Sequence, residues 1–584
     1  MKRQFRKREA SLLVMGLVAF SASGAPALAS DTEAELRALK ARLDATIGEV
    51  QSLKSQLRRY EGKTAEQDRK LKEVRTESRK HSVAAHGEVV KGPAASGNPP
   101  LPFFVDLSHG LTIESLDHAD SFHVGGRLFV DGGASSQPEK GLSSTANLAQ
   151  ARLQVEGRLR SIWEYKFQYD FVGGSNATTV GAVGGIRDAY VALKYPGFRP
   201  PFLENPIEIQ VGNFYLPHGM ERSATSKNYI DFVERSLMSD TFGAARHVGI
   251  AALTHGSNWF VKAALSSTSV EDAALKPTAD YPVPLGVPSK AGWAATGGSQ
   301  YFDVTARASY APIWSEDRLL HFGASGRYHR PNDSTAGNDD RVLTPGANTD
   351  VESNILKENL LGTPDLSCGA YGIAGNPAVA GHCVKNMLGY GLEGAAVYGP
   401  ASLQAEYMDA QYNRNNSAIL AANIAGGLSP GGASLNYNGY YVSGMYFLTG
   451  ESKAAAYQVD SNTNGGGFRQ IQIKHPLSSG GWGAFALTAR LSEVNLNSGP
   501  YEGSYYANLI ALAPKTSQKD AVFNSSVLGG REEDVTVGLN WYAEPGVRVM
   551  ANWTRVLALS APYSAPYLNG AHPNTFLVRT QIDW

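Results

Sequence analysis

Between Ala151 and Phe171 the chain alternates in character residue by residue. The odd positions Leu153, Val155, Leu159, Trp163, Tyr165, Phe167, Tyr169 and Phe171 are apolar or aromatic. The even positions Arg152, Gln154, Glu156, Arg158, Arg160, Glu164, Lys166, Gln168 and Asp170 are charged or polar. Successive side chains of a strand point to opposite faces, so this pattern builds one wholly apolar face and one wholly polar face. A soluble sheet could turn the polar face to bulk water; a transmembrane barrel would turn it to a wet lumen and its aromatic face to lipid. The alternation recurs at Ile207–Val211, at Asp303–Tyr310, in Phe485–Leu491, Val535–Tyr542 and Val547–Val556, and again at Phe576–Trp584. About seventeen strands can be drawn, and since both ends of such a barrel lie on one side of the membrane the count must be even. The count is therefore sixteen or eighteen, and we expect an all-β transmembrane barrel of about sixteen antiparallel strands. The residues 270–385 and 410–435 read as loops of unknown fold.

The N-terminus follows another logic. Lys2, Arg3, Arg6, Lys7 and Arg8 precede the apolar run Leu12–Phe20 and the small-residue site Ala27-Leu28-Ala29, the layout of a secretory signal. The run is shorter than the roughly 20 residues of a spanning helix. Cleavage after Ala29 would leave a mature chain with a formal charge of −5, so any preference for anions must come from the placement of basic residues rather than their number. From Leu36 to Val74 apolar or small residues recur at spacings of three and four, through Leu39, Leu43, Leu53, Leu57 and Leu71, which predicts a self-associating α-helical coiled coil. The following stretch to Pro102, rich in Ala, Gly, Pro and Ser, reads as a flexible linker. The expected organisation is a signal peptide at 1–29, a periplasmic coiled coil at 30–80, a linker at 81–102 and a barrel at 103–584.

Only two cysteines occur, Cys368 and Cys383. In an exported chain they read as one loop-stapling disulfide; a metal pair is the weaker alternative, because only His382 stands beside them. No Walker loop or HExxH is present and no GxGxxG stands between a strand and a helix, so nucleotide and metallohydrolase readings have no support in the sequence, and neither a cofactor nor a nucleic-acid partner is expected. Beyond the signal no apolar stretch is long enough to form a transmembrane helix, while Tyr (27), Phe (21) and Trp (8) are plentiful. The terminal strand, with Phe576, Val578, Thr580, Ile582 and Trp584 on one face, resembles the recognition signal read by the outer-membrane barrel-assembly machinery.

Four stretches resemble the phosphate-selective porin O/P family: FHVGGRLFVD at 122–131, ARLQVEGRLRSIWEYKFQYDF at 151–171, RDAYVAL at 187–193, and VGNFYLPHGMERSATSKNYIDFVERSLMSDTFGAARHVGI at 211–250. They cover the first third of the barrel; from about Gly256 to Gly570 only the strand-like pattern is shared. The resemblance implies a homotrimer of sixteen-stranded barrels in the outer membrane of a Gram-negative bacterium, each with its own pore. It also implies an inward-folded third extracellular loop and basic residues that bind inorganic phosphate or other small anions in steps. The segment from Tyr215 to Arg246 is the candidate for that loop.

On this reading the anion-binding candidates are Arg127, Arg152, Arg158 and Arg160 on inward strand faces, and Arg222, Lys227, Arg235 and Arg246 in the loop. Fixed guanidinium and ammonium groups can replace the hydration that an anion loses in a narrow pore, and several weak sites release what one tight site would trap. Glu156, Glu164, Glu221 and Glu234 lie close by in sequence, so each cation could instead pair with a carboxylate that shapes the wall, and Glu234 and Arg235 are expected to anchor the loop. The closely spaced arginine ladder expected of strict phosphate channels is not evident, which leaves sulfate, carboxylates and polyphosphate open. Two rival functions share the architecture: a weakly selective diffusion pore, and an envelope tether acting through its coiled coil. No Ser/His or paired-acid constellation falls on one strand face, which argues against an enzyme.

Overall fold

The computed structural model describes residues 103–107, 110–137, 141–172, 183–267, 302–330, 346–347, 360–363, 384–414, 434–460, 465–498, 527–562 and 565–584. The signal peptide, coiled coil and linker, and both cysteines of the expected disulfide, lie outside the described residues. Among the described residues the strands are β1 (Phe103–Asp106), β2 (Leu111–Ser115), β3 (Ser121–Gln137), β4 (Gly141–Leu159), β5 (Trp163–Val172), β6 (Val183–Leu193), β7 (Glu208–Tyr215), β8 (Arg246–His255), β9 (Trp259–Ser266), β10 (Phe302–Trp314), β11 (Arg318–Arg330), β12 (Gly346–Ala347), β13 (Leu361–Gly362), β14 (Val384–Tyr398), β15 (Ala401–Arg414), β16 (Ser434–Phe447), β17 (Tyr457–Gln458), β18 (Gly467–Phe468), β19 (Ala484–Ser498), β20 (Val527–Glu544), β21 (Val547–Ser560) and β22 (Asn574–Asp583). Each long strand pairs antiparallel with its sequence neighbour, and β22 returns to pair with β3 from Thr575↔Ser135 to Asp583↔Arg127. The result is a closed barrel of sixteen strands, an even count as parity requires and the expected one of the two that parity allowed. The hairpins β12–β13 and β17–β18 stand apart from it, and β1 and β2 extend the sheet beside the start of β3.

The burial pattern is inverted relative to a soluble protein. On β10, Asp303, Thr305 and Arg307 are buried, whereas Val304 and Tyr310 are 45% and 50% exposed. The same holds on β22, where Arg579 and Gln581 are buried while Phe576 and Ile582 face out. An apolar belt that no protein covers, around a polar interior, is the arrangement that lipid demands of a barrel. Trp163, Tyr195, Trp314, Tyr398, Tyr446, Trp482 and Trp584 are all exposed near one rim, which places an aromatic girdle there. That rim also carries the tight connections 160–162, 256–258, 315–317, 399–400 and 545–546, and short turns are periplasmic in outer-membrane barrels. No helix among the described residues is long and apolar enough to cross a membrane.

Two expectations are corrected. The alternating segment Ala151–Phe171 is a hairpin rather than one strand: β4 ends at Leu159 and β5 begins at Trp163, with Arg160 and Ser161 at φ of 53° and 61° in the turn. The alternation survives because the register Leu159↔Trp163 pairs residues of equal parity, so each returns to the face it would have held in a single strand. The stretch 270–385, read as a loop, contains the β10–β11 hairpin, and residues 410–414 belong to β15.

Closure is made tight by small residues. Gly126 donates to the Trp584 carbonyl and accepts from its amide, both at 3.0 Å. A Cβ on Gly126 would stand 2.5 Å from the Trp584 ring and 2.7 Å from the Arg152 carbonyl. The Gly-Gly pair in FHVGGRLFVD therefore makes room for the last residue to seat against β3.

Candidate functional site

The lumen is narrowed from both rims. Residues 216–245, between β7 and β8, cross the barrel and dock on β19–β22 through their backbone. Arg548 donates to the carbonyls of Ile230 and Asn228, at 2.8 and 2.9 Å, and Gln581 also donates to Asn228 O. Asn540 donates to Asp231 O, Arg579 to Val233 O and Arg490 to Glu234 O, while Asn552 Oδ1 accepts from Val233 N. Toward the other wall, the Glu406 carboxylate accepts the amides of Met220 and Glu221, both at 2.7 Å. A chain entering a lumen carries unpaired peptide groups, and these side chains satisfy them. The segment ends in helix α1 (Leu237–Phe242), capped by the Ser236 side chain, whose Leu237, Met238 and Phe242 pack with Met408, Tyr437 and Tyr441.

The second inward segment was not expected. Residues 448–460 and 465–483, between β16 and β19 at the rim of short turns, run back into the barrel and carry β17 and β18. Arg307, held by the Glu393 carboxylate, donates to the carbonyls of Gly465 and Gly466, and the Tyr457 hydroxyl meets His321 at 2.7 Å.

Among the described residues a cavity of about 750 Å³ opens between β3–β8 on one side and the two inward segments on the other. Eight cationic side chains line it (Arg127, Arg152, Arg158, Lys166, Lys227, Arg235, Arg246 and Arg469), against four carboxylates (Glu156, Glu164, Asp188 and Asp460). Tyr165, Tyr190, Tyr215 and Tyr229 stand among them. Burial raises the Tyr229 hydroxyl to about 12, so this loop residue stays a neutral donor.

Six of the eight sequence candidates thus meet in one cavity. Arg127 donates to Ser226 Oγ at 3.3 Å and to Asn228 Oδ1, tying β3 to the loop. Arg152 bonds Asp170 at 2.7 Å, and Arg246 grips Asp188 in a fork at 2.8 and 3.1 Å while its guanidinium lies 3.9 Å over the Tyr215 ring. Lys227 bonds Glu234 at 2.7 Å, and Arg235 donates to the Glu221 carbonyl at 3.3 Å, so Glu234 and Arg235 do serve the loop. Arg158 is more exposed, with Glu114 at 3.2 Å.

The other two candidates fall elsewhere. Arg160 is not on an inward face, because the turn that ends β4 turns it out to solvent. Arg222 pairs with Asp240 at 2.6 Å inside the loop and does not line the cavity. The structure adds Lys166, already on the polar face of the alternating segment, where it bonds Glu156 at 2.6 Å. It also adds Arg469, from a segment with no strand pattern to betray it.

A closed sixteen-stranded barrel with a polar lumen, a lipid-facing apolar belt and an infolded constriction is an outer-membrane channel of the porin type. The chain belongs to the family described as phosphate-selective porin O and P, whose model matches residues 122–584. Porin O of Pseudomonas aeruginosa is 26% identical over 355 residues, covering 59% of this chain and 68% of the relative. An uncharacterized protein of Caulobacter vibrioides is 24% identical over 385 residues, covering 65% of this chain and 62% of that protein. Among solved structures, the trimer form of OmpT, an outer membrane protein of Vibrio cholerae, matches at a TM-score of 0.39 and 10% identity, covering 80% of this chain and 100% of that one. The outer membrane channel DcaP of Acinetobacter baumannii matches at 0.40 and 10% identity, covering 81% and 99%.

Proposed function

We infer that the channel takes up small anions passively, inorganic phosphate foremost, and that the cavity along β3–β8 is where they are selected. The observation that carries this reading is the excess of eight cations over four carboxylates on that cavity's wall. In a lumen narrowed by protein, a desolvated oxyanion regains its lost interactions from guanidinium and ammonium donors, and donors spread along a path favour passage over capture. Family membership supports phosphate as the ion. Arg127, Arg152, Lys227, Arg235 and Arg246 are the residues we assign to binding, with Arg158, Lys166 and Arg469 completing the path. As in the family, the unit would be a homotrimer, with β22 and Trp584 presented to the barrel-assembly machinery.

Conductance across a planar bilayer tests this. An anion-selective zero-current potential in a chloride gradient, with chloride current blocked by millimolar phosphate, is the expected result. A pore with no anion preference refutes it. One observation favours a second reading, a weakly selective diffusion pore: Arg152, Lys166, Lys227 and Arg246 each already hold a carboxylate, which dilutes the field an ion would feel.

A further inference from the structure

The open cavity touches only one side of the barrel, β3–β8. On the opposite side the two inward segments, one entering from each rim, pack on the wall and on each other, Met220 and Ala224 of the first against Ala454, Tyr457 and Phe468 of the second, with a cavity of only about 20 Å³ beside Ile471 and Tyr542. Lys453, at the start of the periplasmic-rim segment, places Nζ 2.7 and 2.6 Å from the two carboxylate oxygens of Asp231, in the segment between β7 and β8. Both side chains are more than nine-tenths buried. The ammonium also lies 4.2 Å from the centre of the Phe468 ring, and the Asp231 carbonyl is held from the wall by Asn540. Beside this pair, Phe468 N reaches Thr225 Oγ1 at 3.5 Å, and Gly467 passes so close that a Cβ there would stand 2.3 Å from the Ala224 carbonyl. Behind it lies an apolar filling in which Ala456 and Ile471 pack against Phe447, Ala484, Ala486 and Tyr542 of the wall.

We propose that Asp231 and Lys453 form a latch that seals the β16–β20 side of the lumen, so that all traffic is forced past the basic cavity. Neither residue lines that cavity; they determine selectivity by denying ions another route. A buried ion pair that loses one partner leaves the other charge without compensation in a dry site, and the cheapest relief is for water to enter. The segments would then part, and a path would open along a wall with no excess of cations. The proposal rests on the basic cavity making the pore anion-selective and not on which anion it carries, so its test is made in potassium chloride, where an unselective wild-type pore would refute that reading and the conductance change alone would still report the latch.

Purified pores of Lys453→Met and Asp231→Asn are compared with wild type for single-channel conductance and zero-current potential. Each single variant should raise conductance by about 1.5-fold or more and move the zero-current potential toward zero, while Asp231→Lys with Lys453→Asp restores both. Folded single variants with unchanged conductance and selectivity overturn the latch. An independent arm leaves the pair intact: in Ala486→Cys pores, behind the seal, a charged thiol reagent should alter the current no more than it does in the parent. A reagent-dependent change specific to Ala486→Cys would show that the wall is already wet and overturn the seal without relying on any latch variant.

Discussion

At the scale of single residues, the lumen owes its shape to where charge and imidazole groups are placed. His218 sits at the start of the infolded loop, buried to 2% exposure. Burial first, and then the neighbouring Arg327 guanidinium, brings its imidazole down to about 4 from an ordinary 6.5. A group depressed in this way takes up a proton more readily once the loop leaves its seat, so the seated loop is favoured fully above about 6.5 and progressively less as pH falls toward 4. Recordings should therefore show steady currents at neutral pH and growing open-channel noise between pH 6.5 and 4, with the effect reduced in His218→Gln; equal noise in both proteins would mean that another group governs the loop. Arg579 shows the same economy of placement. Its guanidinium bonds both oxygens of Asp131 at 2.7 and 2.6 Å and still donates to the Val233 carbonyl.

At the scale of elements, the β19–β22 wall acts as a docking rail. Arg490, Arg548 and Arg579 spend donors on loop carbonyls rather than on the path of an ion. Counting arginines on inward faces would overstate the charge an anion meets. Replacing Arg579 by Met should lower barrel stability by about 3–5 kcal/mol, because Asp131 is left charged and buried; unfolding in urea followed by gel mobility measures it. The hairpin at 151–171 shows how far sequence reached at this scale. The period of two fixed which face each residue took, and therefore placed Arg127, Arg152 and Arg158 on the lumen wall. It was blind to a turn that preserves parity, and so misplaced Arg160. The infolding of 216–245 became visible only through family resemblance, since its composition carries no period. The segment 448–483 gave no signal, because what holds it are pairs such as Lys453 and Asp231, 222 positions apart.

At the scale of the whole molecule, the barrel obeys two solvents at once. Leu392 lies midway along β14 and is 57% exposed on the outer face, so Leu392→Arg should cost about 2–4 kcal/mol in lipid, far more than the same change at an exposed rim position such as Leu477. Equal stabilities on refolding into vesicles would argue against a lipid-facing belt. The seam has a final consequence. Asp131 lies on the first strand of the barrel, Arg579 on the sixteenth, and the carbonyl that Arg579 holds belongs to the infolded loop. The infolded loop and the joint in the wall therefore share one fastening. The strand that closes the wall thus also grips the loop that narrows the lumen, so loosening the seam at Asp131 and Arg579 loosens the constriction with it.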